Sequence, residues 1–105
     1  MSLFFIDANE DDIADVVTVD QGIVVTPVVA DGKRGLLGAI GRALLFPDHF
    51  FDDNFDSFFD CLGEARGTVV LANAAPWWRA EPRIMGQLCQ CFLDVDEHVR
   101  LVVAA

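Results

Sequence analysis

The β-branched run at residues 68–72 constrains this chain most. It is long enough for a central strand buried on both faces, and such strands belong to sheets covered by helices. Residues 99–103 form a last apolar strand, and Ile84, Met85, Leu88, Cys89 and Phe92 carry a helical period between the two. Upstream, residues 23–29 are β-branched but interrupted by Pro27. Proline removes a ladder donor, so this run is an edge strand, or one that ends or bulges there. Leu36, Leu37, Ile40, Leu44 and Leu45 recur at helical spacing. They predict a helix begun by Asp31 or Gly32 and stopped near Phe46 by Pro47. Gly35, Gly38 and Gly41 weaken that helix by propensity and read as permitting close packing. Residues 3–6 are a candidate N-terminal edge strand, 9–15 a turn or helical turn, and 73–82 a loop carrying Trp77 and Trp78. The order strand, helix, helix, strand, loop, helix, strand predicts an α/β fold. Its sheet is small and mostly parallel, of about three strands, with helices flanking it.

With 105 residues the chain reads as one domain, and 53% hydrophobic residues suffice for a core without disulfides. The formal net charge of −10 argues against nucleic acid and anionic membranes and favours a basic protein partner. Cys61, Cys89 and Cys91 are odd in number and lack zinc-site spacing, so they read as core thiols in a reducing cytosol. The first residues lack a basic region and a long apolar stretch, which predicts a cytoplasmic chain without a signal peptide, and no run is long enough to span a bilayer.

A helix from about residue 54 to 63 carries the most specific pattern. Phe55, Phe58, Phe59 and Leu62 lie at i, i+3, i+4 and i+7, an apolar face directed at the core. Asp53, Asp56, Asp60 and Glu64 form a single acidic row on another face. No Lys or Arg four residues away relieves that row, and like charges at helical spacing destabilise. Asp53 and Asp56 gain from the positive helix N-terminus, whereas Asp60 and Glu64 lie too far along. A row that costs stability without a folding return marks a functional surface, against the plain alternative of a solvated face.

The run Phe46-Pro47-Asp48-His49-Phe50-Phe51-Asp52-Asp53-Asn54-Phe55-Asp56-Ser57-Phe58-Phe59-Asp60-Cys61-Leu62 resembles the barstar signature, with Asn54-Phe55-Asp56 and Phe59-Asp60-Cys61-Leu62 as its specific part. The likeness extends over about residues 23–103, and residues 1–20 look like an N-terminal extension. It implies a barstar-like three-layer fold that inhibits a small secreted ribonuclease of the barnase kind. The acidic helix and the loop before it would enter the nuclease cleft, with carboxylates in the places of RNA phosphates. Asp60 matches the family's central aspartate, Asp56 its second interface aspartate and Asn54 the asparagine that opens the helix. Phe50 and Phe51 fall near the loop aromatics, and Phe59 holds the place of a tryptophan. The chain departs from the family pattern in a loop one residue longer, in Asp52 and Asp53 where a glycine and a variable residue are common, and in Gly63-Glu64-Ala65-Arg66, which lacks a tryptophan. The acidic residue of the family's last helix falls near Cys91, with Asp94 as a distant candidate.

The partner-binding residues expected on these grounds are His49, Phe50, Phe51, Asp53, Asn54, Asp56, Phe59, Asp60 and Glu64. No cofactor or metal is expected. His49 and His98 are far apart with no ligand pattern, and Asp48, Asp52 and Asp53 lack calcium-loop spacing. Cys61 reads as core rather than as a nucleophile. Trp77 and Trp78 either pack over the sheet or form a secondary contact. The expected role is an intracellular, non-enzymatic inhibitor. The alternative is an immunity, antitoxin or interaction module for a different basic partner. A small enzyme built on Asp56, Asp60 and His49 would need a strand-end nucleophile or phosphate loop, and none is visible.

Overall fold

The computed structural model describes residues 2–6, 10–19, 21–47 and 54–105. Four strands form one sheet: β1 (Leu3–Ile6), β2 (Ile23–Val25), β3 (Gly67–Leu71) and β4 (Val99–Ala104). The spatial order is β1-β4-β3-β2, and every neighbouring pair is parallel. The expected mostly parallel sheet is thus wholly parallel, and residues 3–6 do form an edge strand. β2 ends at Val25, two residues before Pro27, and occupies the opposite edge. Its last carbonyl still accepts from the Ala72 N–H at 3.0 Å.

The α-helices among the described residues are α1 (Glu10–Val19), α2 (Gly32–Ala43), α3 (Phe55–Leu62), α4 (Ala75–Ala80) and α5 (Pro82–Asp94). Side chains alternate across the sheet. Val69, Leu71, Leu101 and Val103 join the main core with Leu36, Ile40, Phe58, Leu62, Trp77, Leu88 and Phe92, from α2 to α5. Val70, Val102 and Ala104 face the other way, against Ile6 and against Ile13 and Val16 of α1. Burial on both faces, at about 1.5–3 kcal/mol for each large aliphatic side chain, explains why β3 and β4 read as continuous apolar runs.

The placement of α1 follows from the handedness of parallel connections. The chain steps from β2 to β3 and from β3 to β4 in one direction, with helices on one face. The step from β1 to β2 crosses the sheet in the reverse direction. A right-handed connection in that sense must pass over the opposite face, where α1 lies. The result is three layers: α1, the sheet, and the other four helices.

Two readings of the sequence need correction. Residues 73–82 are not a loop, because α4 forms there with Pro76 in its first turn, where a missing N–H costs nothing. Leu45 does not continue the core stripe of α2. The helix ends at Ala43, and Leu45 turns outward with φ +58 while Leu44 stays buried. The helical turn expected at residues 9–15 is the start of the longer α1. The close-packing reading of the α2 glycines holds at Gly35, where a Cβ would fall 2.4 Å from the Asp31 Cβ. At Gly38 an added Cβ would meet only the flexible end of Arg42, at 3.5 Å.

Candidate partner-binding face

Helix α3 is set in place before its acidic face does anything. Asn54 has extended backbone angles, and its Oδ1 accepts from the Asp56 N–H at 2.7 Å, an N-cap that fixes where the helix starts. Phe58 and Leu62 are fully buried. The Phe58 ring lies 5.5 Å from Phe46, 6.2 Å from Phe55 and 6.3 Å from Phe92, which clamps α3 between the end of α2 and the side of α5. At the other end, His98 Nε2 donates to the Leu62 carbonyl at 3.3 Å, so that nitrogen carries the proton. The same carbonyl also accepts from the Ala65 N–H at 3.2 Å. Cap, aromatic cluster and C-terminal tie hold the helix at three points.

With that side locked, Asn54, Asp56, Asp60 and Glu64 are all exposed on the outward side. Phe59 departs from the amphipathic reading. It is 37% exposed instead of joining the core. Phe58 and Leu62, four residues apart, fill the space under the helix, and Phe59 is rotated toward α5. His49, Phe50, Phe51 and Asp53, together with Asp48 and Asp52, lie outside the described residues.

Between α3 and α5 runs a groove of about 440 Å³. Helix α3 contributes Phe55, Asp56, Phe59 and Asp60, and α5 contributes Gln87, Gln90, Cys91 and Asp94. Asp94 therefore faces Asp56 and Asp60 across the groove, although it is far from them in sequence. The Gln90 side-chain amide donates to both Asp94 carboxylate oxygens at 3.1 Å, which orients the carboxylate. Gln87 and Gln90 escaped the site expected from the sequence, and Cys91 and Asp94 entered it only as matches to the acidic residue of the family's last helix. The signal was present, because Gln87, Gln90, Cys91 and Asp94 follow i, i+3, i+4, i+7 beside the core stripe. Lys33 of α2 places its ammonium 4.7 Å from the Phe55 ring centroid, at the N-terminal end of the same helix.

The cysteines depart in part from the core-thiol reading. Cys89 is buried, whereas Cys61 and Cys91 are only half-buried, because both sit on helix flanks beside the core stripe. Burial first, then the Asp94 and Asp56 carboxylates, push the Cys91 thiol up to about 11. Burial, with Asp60 and Glu64, also raises the Cys61 thiol. Both thiols are thus held neutral and are poor nucleophiles. Among the described residues no group of three His, Cys, Asp or Glu side chains is arranged to hold a metal ion. No helix among them is long and apolar enough to cross a membrane. The arrangement exposes carboxylates with aromatic surface between them.

Residues 27–102 match the family model described as Barstar (barnase inhibitor). The match includes α2 to α5 and begins beyond β1 and α1. Searches of curated proteins and of solved structures returned no match.

Proposed function

The chain belongs to the barstar family, and on that footing we propose that it is an intracellular inhibitor of a barnase-type ribonuclease. In this reading α3 and the preceding loop close the nuclease cleft. One observation carries it: Asp56, Asp60 and Glu64 stand exposed along a helix whose Phe58 and Leu62 are fully buried and whose two ends are tied down. The row is rigid before any partner arrives, so little ordering entropy is lost on binding.

A ribonuclease cleft holds Arg, Lys and His around a phosphate. Carboxylates meet those groups through charge-assisted hydrogen bonds, two at a time with arginine. Asp60 is the central contact, Asp56 the second, and Phe59 supplies apolar area between them. Asn54 acts mainly through the cap it forms. His49, Phe50, Phe51 and Asp53 belong to the face on sequence grounds, and Glu64 extends it. The family is one of inhibitors, so no catalytic role is assigned to these residues and no cofactor is called for.

A second reading keeps the face and changes the partner, to another basic protein met in an immunity or antitoxin role. Arg66 favours keeping it, because this exposed cation lines a groove with Glu64 where a uniformly basic cleft would repel it.

Binding to a barnase-type ribonuclease, and inhibition of its RNA cleavage, should be measured for wild type and Asp60→Ala at low and moderate salt. Removing one member of a buried ion pair costs about 3 kcal/mol or more, hence a hundredfold or greater loss of affinity. Tight inhibition by the wild type that weakens with salt and is lost in Asp60→Ala supports the ribonuclease reading. A folded wild type that leaves RNA cleavage untouched moves the choice to the second reading.

A further inference from the structure

Leu45 occupies a conformation that suits glycine, and its side chain is 88% exposed, so no packing offsets the strain. The local backbone explains the left-handed turn. The Phe46 N–H donates to the Gly41 carbonyl at 2.9 Å and the Leu45 N–H to the Arg42 carbonyl at 3.3 Å. These two bonds end a helix through one left-handed residue, usually glycine or asparagine. On either side, Leu44 is buried and Phe46 packs 5.5 Å from Phe58. An apolar side chain is thereby presented to solvent on a fixed backbone, at a position where the fold itself would favour none.

The location gives this exposure a use. Leu45, Phe46 and Pro47 line a groove of about 360 Å³ together with Cys61, Glu64 and Arg66, at the C-terminal end of α3. Glu64 is the last carboxylate of the acidic row, so the groove continues the proposed binding face. We propose that Leu45 is an apolar anchor of that face, entering an apolar socket beside the partner's basic cleft. The proposal rests on α3 being the inhibitory face. The occupant is the basic partner and not a second copy, because chains of net charge −10 repel one another while a basic protein is drawn in. A preordered apolar side chain ringed by polar contacts is also how binding energy concentrates at protein interfaces.

The strain makes the test two-sided. Leu45→Gly should raise the melting temperature by roughly 2–6 °C, since the left-handed turn is relieved. It should also weaken binding to a barnase-type ribonuclease about tenfold or more. Leu45→Ala should weaken binding similarly without the gain in melting temperature, because it keeps the strain and loses only the side chain. Asp60→Ala is measured alongside. If Asp60→Ala loses binding while Leu45→Gly is more stable and binds like wild type, the anchor is refuted and the acidic mechanism stands. If wild type does not bind the ribonuclease, this proposal fails together with the ribonuclease reading, while the second reading of the face stands. A wild type that sediments as a dimer, with a monomeric Leu45→Gly, would assign the side chain to self-association and also overturn the proposal.

Discussion

The indole N–H of Trp77 donates to the carbonyl of Pro27 at 2.9 Å, joining α4 to the segment that leaves β2, 50 residues earlier in the chain. Trp77 is fully buried, whereas Trp78 is 37% exposed and stands 6.4 Å from the Phe5 ring. Of the two readings of this pair, packing over the core holds for Trp77. Trp77→Phe removes the donor and leaves a void, so it should lower unfolding free energy by about 2–4 kcal/mol. Trp78→Phe should cost under about 1 kcal/mol. Urea titration followed by circular dichroism separates them. Equal midpoints for the two variants would contradict the role given to the hydrogen bond.

Adjacent phenylalanines in α3 divide stability from binding. Phe58→Ala empties the centre of the aromatic cluster and should cost about 3–5 kcal/mol, enough to unfold much of the population. Phe59→Ala removes half-exposed surface and should cost about 1 kcal/mol or less while weakening ribonuclease binding. Chemical denaturation together with titration calorimetry reads both. A Phe59→Ala protein with wild-type affinity would remove Phe59 from the face.

The cap at Asn54 predicts a graded series. Asn54→Ala should destabilise by about 1 kcal/mol, and Asn54→Asp or Asn54→Ser should recover most of it, because either side chain accepts from the Asp56 N–H. Amide exchange in the first turn of α3 provides the local readout, and exchange unchanged in Asn54→Ala would argue against a working cap.

Cys91 sets a pH dependence with a defined sign. Its thiol ionises near 9 when free and at about 11 in the fold. Between those values the unfolded chain loses a proton that the folded chain keeps, so stability is present below pH 9 and declines as pH rises toward 11. Cys91→Ala should flatten that part of the stability profile. Iodoacetamide should label Cys91 slowly at pH 8, since the thiolate is scarce there. Fast labelling of Cys91 in the folded protein at pH 8 would contradict the shift.

The parts of the fold legible in the sequence were those governed by burial. β3 and β4 announced themselves because both faces of each are covered, and α2, α3 and α5 because a core stripe repeats along them. Helix α4 was not legible, since six residues containing two tryptophans and Pro76 give no period to recognise. Pro76 and Pro82, each at a helix start, were the available signal. Leu45 misled because it continues the spacing of Leu37 and Leu44, while the chain reversal that expels it is set by backbone hydrogen bonds. The acidic row on α3 was readable as a pattern. Asp94 was legible only as a distant match to the family's last acidic residue, since its place across from Asp56 and Asp60 depends on how α5 docks against α3.

The register that sets Leu3 opposite Leu101 has a kinetic meaning. During synthesis β1 emerges well before its partner strand β4, several seconds apart at about 5–20 residues per second. Through that interval the strand holding Phe4 and Phe5 has no ladder to join, and neither ring is fully covered even in the finished protein. The nascent chain therefore carries an adhesive segment until β4 has been made. Its yield in a cell depends on how well that segment is shielded while it waits.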